Sequence, residues 1–205
     1  QTPDVKASVR ALNFFPYWRV PETILREDIF PKVRKNIRYL KKERIRIFRH
    51  GDQGGKMAIS PASINWHKAN PNTFPFYLRQ EPGPKNALGR IKFMFPNTHD
   101  IYIHDTPDKH LFAQTKRSFS SGCIRVEEPL RLAEYLFASG GKVGGIAPLM
   151  AGGANQTVSL PKPVMVYISY WTVWADDTGK VQFRDDLYGY DRELAEIVGW
   201  EEGIR

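Results

Sequence analysis

The sequence contains a single cysteine among 205 residues, Cys123, and this scarcity excludes several kinds of protein. One thiol can form neither an internal disulfide bond nor a cysteine-rich metal site. The sequence also lacks an uninterrupted apolar run of roughly eighteen residues, which a membrane-spanning helix requires. We therefore expect no transmembrane helix, no disulfide framework and no cysteine-based metal centre in this chain.

The first residues lack the features of a secretory signal peptide. The chain begins at Gln1 without an initiator methionine, and no basic segment followed by an apolar one is present. We expect the chain to be a fragment of a longer precursor, with the export signal upstream and any membrane anchor outside these residues. A length of 205 residues allows one hydrophobic core with room for one inserted segment.

The positive charge is confined to one segment. Residues 32–49 hold nine basic residues against the single acidic Glu43, and the rest of the chain is balanced at 21 basic and 21 acidic residues, from totals of 30 and 22. Val33, Ile37 and Leu40 recur at helical spacing, so we expect one basic helix that packs by this stripe. The nine basic residues are Lys32, Arg34, Lys35, Arg38, Lys41, Lys42, Arg44, Arg46 and Arg49.

Three interpretations of this basic helix are open. A solvated polar face is the ordinary explanation of a charged run. Nucleic-acid binding is disfavoured because no recognised motif accompanies the charge, and we expect no nucleic-acid partner. Electrostatic attraction of an acidic polymer is the third interpretation.

Alternating apolar residues predict β-strands along much of the chain. Val5, Ala7, Val9 and Ala11 are expected on one strand face, and further strands are predicted at 90–95, 164–168 and 170–174, the last two in central positions. Residues 176–179 predict a hairpin turn. Helical segments are instead expected within residues 22–73. The predicted fold class is mainly β, a β-sandwich of residues 1–21 and 74–205 with residues 22–73 inserted as a helical cap.

Residues suited to catalysis are concentrated between positions 101 and 126. His104 ends a strand-like run and precedes a turn signal, so its ring is held firmly enough to act as a base. Cys123 follows Gly122, whose missing side chain lets backbone N–H groups approach a developing oxyanion. A thiol needs a base to become a nucleophilic thiolate near neutral pH. The combination indicates a Cys/His acyl-transfer site.

The order of these residues resembles the signature of the YkuD-type L,D-transpeptidase catalytic domain. His104, a spacer of fifteen residues and Ser120-Ser121-Gly122-Cys123-Ile124-Arg125 are similar to the family pattern of His, spacer, Ser/Thr-His-Gly-Cys, an apolar residue and Arg or Asn. Ser121 departs from the histidine that the family usually has there. Further stretches resemble the capped, YcbB-like subclass of Gram-negative bacteria; they lie at 15–21, 74–80, 82–90, 104–107, 170–174 and 187–189.

The resemblance implies roles for the residues around this signature. Cys123 is the expected nucleophile and His104 its general base, with the main-chain carbonyl of Asp105 fixing the imidazole tautomer. The backbone N–H groups of Ser121, Gly122 and Cys123 are the expected oxyanion hole. Neither a metal nor a cofactor is implied. The expected substrate-binding residues are Arg125, Tyr102, Trp18 and Ser120.

The resemblance also implies the substrate class. A peptidoglycan tetrapeptide stem would acylate Cys123 through the carbonyl of its L-centre and release the terminal D-alanine. An amine of a second stem would resolve the thioester and form a 3→3 cross-link. Other linkages and hydrolysis by an L,D-carboxypeptidase are alternatives. A periplasmic location, attraction of the acidic polymer to the basic segment and covalent inhibition by carbapenem-type β-lactams are further expectations.

Several features of the sequence also have less specific explanations. A solitary cysteine is most often a small buried hydrophobic residue, and Arg125 or Tyr102 can brace or pack the site instead of binding substrate. Papain-like and NlpC-type peptidases place the cysteine before the histidine, whereas His104 precedes Cys123 here. The non-enzymatic alternative is a basic peptidoglycan- or nucleic-acid-binding module with an inert cysteine.

Overall fold

The computed structural model describes residues 2–52, 55, 57–139 and 145–200. Three β-sheets organise this part of the chain, with five, three and two strands. Two hydrophobic clusters accompany them, one at the five-stranded sheet and the other at the three-stranded sheet. The prediction of a mainly β fold is confirmed.

The five-stranded sheet has the order β7-β6-β5-β1-β8. All neighbours are antiparallel except β6 and β7, which are parallel. The prediction of a central strand at 164–168 is wrong, because these residues lie in β8, an edge strand with β1 as its neighbour among the described residues. The strands are β1 (Val5–Phe14), β5 (Ile91–Met94), β6 (Ile103–His104), β7 (Ile124–Arg125) and β8 (Gln156–Ile168).

A β-bulge in β1 changes which side chains face the core. Val9 is buried before the register shift, and Leu12 and Phe14 are buried after it. Because one extra residue in a strand exchanges its two faces, Ala11 lies on the face opposite Val9, not on the same face as predicted. Phe93 and Ile103 pair on the core face of the sheet. His104 follows Ile103, so its side chain lies on the other face, which is also the face of Ala11.

The core of the five-stranded sheet is closed by helix α4 (Pro129–Ser139). Ala133, Leu136 and Phe137 are buried, and the rings of Phe137 and Phe14 meet edge to face at 6.3 Å between centroids. Full burial of each large apolar side chain contributes roughly 1.5–3 kcal/mol. A shorter helix, α5 (Ala147–Ala151), adds to the same cluster.

The three-stranded sheet has the order β2-β4-β3 and is antiparallel throughout. Its cluster includes Phe30, Trp66 and Phe74, whose rings lie 5.0–5.4 Å apart. Residues 22–73 therefore contain the strand β3 as well as helices, and β3 pairs with a strand that follows this range. The elements are β2 (Trp18–Arg19), α1 (Glu22–Ile24), a π-helical turn (Leu25–Ile29), α2 (Phe30–Lys35), α3 (Arg38–Lys42), β3 (Ile45–Arg49) and β4 (Phe76–Gln80).

The prediction of one basic helix is wrong, because the basic segment is divided among α2, α3 and β3. Asn36 is extended, and its side-chain oxygen accepts a hydrogen bond from the backbone N–H of Arg38 at 3.0 Å, which starts a new helix. Arg44 has a φ of 55° and turns the chain into β3. Of the predicted stripe, Val33 and Leu40 are buried, whereas Ile37 is 39% exposed.

The last described segment forms a hairpin of β9 (Val173–Ala175) and β10 (Val181–Phe183), followed by helix α6 (Tyr190–Ile197). The predicted turn at 176–179 is confirmed by a hydrogen bond from the N–H of Gly179 to the carbonyl of Asp176. The central position predicted for 170–174 is wrong, since β9 belongs to this two-stranded sheet. Among the described residues, every helix is too short or too polar to cross a membrane.

Candidate active site

The parallel pairing of β6 with β7 brings His104 and Cys123 together. The register sets His104 opposite Arg125, and the same register aligns Tyr102 with Cys123, which directly precedes β7. His104 and Cys123 line one cavity of about 610 Å³. The predicted residues that line this cavity are Trp18, Tyr102, His104, Ser120, Ser121, Cys123 and Arg125.

The imidazole of His104 is fixed in one tautomer. Its Nδ1–H donates to the main-chain carbonyl of Asp105 at 2.5 Å, so Nε2 carries the free lone pair. Burial lowers the pKa of His104 to about 4, and the charges of Arg125 and Lys92 act in the same direction, against the Asp105 hydrogen bond. His104 is therefore neutral near pH 7, which is the form that accepts a proton.

The peptide that receives the His104 hydrogen bond is held by the carboxylate of Asp105. Its oxygens accept the backbone N–H groups of Arg90 and Thr106 at 2.8 Å each and pair with the Lys109 ammonium at 2.8 Å. Gly89 leaves room for this carboxylate, because a Cβ there would lie 2.4 Å from Asp105 Cγ and the residue has a φ of +59°. Asp105 thus contributes both its carbonyl and a side-chain anchor.

Two hydrogen bonds at Gly122 fix the turn before Cys123. This glycine has a φ of 136°, and its carbonyl accepts a hydrogen bond from the Thr2 hydroxyl at 2.9 Å. Its N–H donates to the hydroxyl oxygen of Ser120 at 3.1 Å, so one of the three predicted oxyanion donors is engaged. Cys123 itself is partly exposed, and Ser121 is exposed.

Tyr102 connects the nucleophile to the three-stranded sheet. Tyr102 is aligned with Cys123 by the strand register and lines the cavity together with Trp18 of the three-stranded sheet, and burial raises its pKa. Its ring meets the His104 ring edge to face at 5.7 Å between centroids, and the Lys92 ammonium lies 3.8 Å from its centroid. Tyr102 and Trp18 therefore form one wall of the cavity.

Arg125 has an unpaired nitrogen at the site. One terminal guanidinium nitrogen is buried without a hydrogen-bond partner among the described residues. A buried donor left unpaired is unfavourable, and a carboxylate is the acceptor that best fits a guanidinium. Arg125 and Cys123 line both the cavity of 610 Å³ and a second cavity of about 440 Å³, so the two residues lie between these cavities.

Several residues of the site were not selected from the sequence. The larger cavity is also bounded by the helical segment, through Thr23, Arg26 and Asn72, and by His50 and His99. Thr23, Arg26, His50 and Asn72 lie far from the His104–Cys123 signature in the chain, and His99 lies just before it, so the spacing of the signature indicated none of them. Among the described residues no group of three or more His, Cys, Asp and Glu side chains is placed to hold a metal ion.

Comparison with known proteins adds two findings. The sequence model of the YkuD family, described as the L,D-transpeptidase catalytic domain, matches residues 1–143. A Haemophilus influenzae (strain ATCC 51907 / DSM 11121 / KW20 / Rd) protein named "Putative L,D-transpeptidase" is 34% identical over 207 residues, which cover 98% of this chain. The chain spans 40% of the length of that relative.

Proposed function

Because the chain belongs to the YkuD family of L,D-transpeptidase catalytic domains, we propose that it joins peptidoglycan stem peptides through a thioester on Cys123. The observation that carries the proposal is the state of His104. Its Nδ1–H is committed to a carbonyl, and burial keeps the ring neutral, so Nε2 is a free base in the cavity that Cys123 lines. Nucleophilic catalysis by a thiol requires such a base.

The first half-reaction acylates the enzyme. His104 Nε2 accepts the thiol proton while the sulfur of Cys123 attacks the carbonyl carbon at the L-centre of a donor tetrapeptide. A C–S bond forms, and the carbonyl oxygen becomes an oxyanion. Collapse of this intermediate breaks the C–N bond, and His104 gives its proton to the departing amine of D-alanine.

The second half-reaction transfers the acyl group. An amine of a neighbouring stem attacks the thioester carbonyl, and His104 accepts a proton from the attacking nitrogen. The C–S bond then breaks, the sulfur recovers the proton, and a 3→3 cross-link results. Water in place of the amine would give a tripeptide instead, which is the L,D-carboxypeptidase outcome.

The oxyanion of each half-reaction is stabilised by the backbone N–H groups of Ser121, Gly122 and Cys123. The N–H of Gly122 exchanges the neutral oxygen of Ser120 for the charged oxygen of the intermediate, which is the stronger acceptor. Because this exchange is favourable only when negative charge develops, it stabilises the intermediate more than the bound substrate.

Donor binding uses one wall of the cavity and the guanidinium group of Arg125. Arg125 binds a carboxylate of the stem peptide through the guanidinium nitrogen that has no hydrogen-bond partner in the described part of the chain. Tyr102, Trp18 and Ser120 line the space beside it. A peptidoglycan substrate implies that the domain works in the periplasm, and a carbapenem-type β-lactam is an acyl donor that Cys123 would open and retain.

The test is incubation of the protein with a purified disaccharide-tetrapeptide, followed by mass spectrometry of the muropeptides. We expect a cross-linked dimer that has lost one alanine, and we expect none with Cys123→Ala or His104→Ala. Ser159→Ala, an equally small truncation on the exposed face of β8, is the control that retains activity. Tripeptide without dimer would reassign the protein as a carboxypeptidase, and unchanged substrate would leave only a binding module.

A further inference from the structure

We propose that Lys92 is a positioning residue of the active site, whose ammonium group stabilises the Cys123 thiolate from the far side of the Tyr102 ring. The inference rests on the proposed role of Cys123 as the nucleophile. It adds to the site a residue that lies outside the His104–Cys123 signature and on a different strand.

The sheet register sets Lys92 beside the catalytic pair. Lys92 in β5 pairs with His104 in β6, and His104 pairs with Arg125 in β7. Paired residues of neighbouring strands lie on the same face of a sheet, so these three side chains form one row. Tyr102 and Cys123 form the adjacent row on the same face.

A single aromatic ring separates the ammonium from the thiol. Lys92 Nζ lies 3.8 Å from the centroid of Tyr102, and the strand register sets that tyrosine beside Cys123, since the N–H of Ile124 donates to the Tyr102 carbonyl. Tyr102 and Cys123 line the cavity of 610 Å³, whereas Lys92 lines neither this cavity nor the one of 440 Å³. A substrate in this cavity therefore contacts Tyr102 but not Lys92. Lys92 acts on the site through the tyrosine ring and through the charge of its own ammonium group.

Lys92 is a half-buried cation that has no carboxylate within ion-pair distance among the described residues. Such a group loses hydration without gaining an ion pair. Burial accordingly lowers the pKa of Lys92, and the charges of Cys123 and Asp100 oppose this shift. An unpaired, partly desolvated cation beside a nucleophile is typical of functional sites.

The two titratable rings beside the thiol carry no charge near neutral pH. Burial keeps Tyr102 and His104 uncharged near pH 7, because it raises the pKa of the first and lowers that of the second. Neither ring therefore offsets the Lys92 ammonium, and a cation beside a thiol favours the charged form of that thiol. Cys123 and Asp100 act on Lys92, Cys123 also acts on Tyr102, and Arg125, Asp105 and Lys92 act on His104.

The test measures the rate of Cys123 alkylation by iodoacetamide as a function of pH. The reagent is small and neutral, and Cys123 is the single cysteine, so the signal belongs to one group. We expect Lys92→Met to move the midpoint of this profile upward by roughly one pH unit, which slows alkylation about tenfold near neutral pH. Lys92→Arg retains the charge and is expected to keep the parental midpoint.

Lys6→Met is the matched control, because Lys6 Nζ lies 5.4 Å from the ring centroid of Tyr167 on the distant edge of the same sheet. It removes a similar lysine–tyrosine contact without touching the site, and we expect no shift. An unchanged midpoint in folded Lys92→Met would overturn the proposal, as would equal shifts in Lys92→Met and Lys92→Arg. Lys92→Gln replaces the methionine variant if that variant does not fold.

The alkylation profile is independent of the muropeptide assay, since it requires no peptidoglycan. A shifted profile together with an inactive parental protein would reject the proposed function and leave the electrostatic role of Lys92 intact. A parental profile in Lys92→Met together with full cross-linking by the parental protein would reject the role of Lys92 alone.

Discussion

His104 links the protonation of the chain to its folding. Its pKa falls from 6.5 to about 4 in the folded protein, chiefly because the ring is buried. Between these values the unfolded chain binds a proton that the folded chain excludes. The corresponding stability is therefore present above pH 6.5 and is lost as the pH falls towards 4. The shift corresponds to about 3 kcal/mol.

We predict that this loss disappears when the imidazole is replaced. Between pH 7 and pH 4, the free energy of unfolding of the parental protein is expected to fall by about 3 kcal/mol more than that of His104→Gln, as measured by urea denaturation. His67→Gln, at an exposed histidine, is the control and is expected to behave like the parent. Parallel pH dependences of the parental protein and His104→Gln would contradict the buried, neutral state of this ring.

Residue type and spacing were sufficient to select His104 and Cys123, which the structure places in one cavity. They were not sufficient for Gly89 and Lys92. The role of Gly89 depends on the approach of the Asp105 carboxylate from another segment, and that of Lys92 depends on which residue of β6 it pairs with. Both roles depend on which segments become neighbours in the folded sheet, and residue type and spacing do not determine that.

At the scale of elements, the basic segment presents its charge from two short helices and a strand. Some of its cations are engaged: Lys32 pairs with Asp28 at 2.6 Å, and Arg34 donates to the carbonyls of Trp66 and Ala69. The remaining cations on the helices, Lys35, Arg38, Lys41 and Lys42, are exposed. A surface of this kind attracts a polyanion during encounter, and the attraction is screened over about 8 Å at physiological salt.

We predict that reversing Lys35, Arg38 and Lys42 to Glu weakens binding to intact sacculi, most strongly at low salt. Pelleting of sacculi at several salt concentrations measures the effect, and alkylation of Cys123 by iodoacetamide should hardly change. The control reverses three exposed cations elsewhere, Arg10, Lys162 and Lys180. Binding of the parent that does not depend on salt would leave this segment as an ordinary solvated surface.

The elements that form the site are the ones that sequence patterns detect least well. Strands β6 and β7 contain two residues each; the apolar run before His104 indicated β6, but β7 is too short for a period of two to be recognised. The apolar alternation in β1 is present, but the bulge after Val9 exchanges the two faces of the strand. No residue type in this segment indicates a bulge. The basic segment follows a helical period, but the side-chain oxygen of Asn36 accepts a hydrogen bond from the N–H of Arg38, and the first helix ends there.

At the scale of the whole molecule, the cavity is bounded by residues from both hydrophobic clusters. Trp18 packs against the cluster of the three-stranded sheet and Tyr102 against that of the five-stranded sheet, and both line the cavity. The helical segment adds Thr23 and Arg26 to the same cavity. The cavity is thus lined by residues more than seventy positions apart, so hydrophobic periodicity predicted the parts of the fold but not how they meet at the site.

The measurement that tests the central claim most directly is the intact mass of the protein after incubation with a carbapenem. If His104 activates Cys123 for acylation, the parental protein gains the mass of one ligand, and His104→Ala gains it far more slowly. Cys123→Ala gains nothing, and Ser159→Ala behaves like the parent. An adduct of equal extent in the parental protein and in Cys123→Ala, or no adduct in either, would contradict the assignment of Cys123 as the nucleophile.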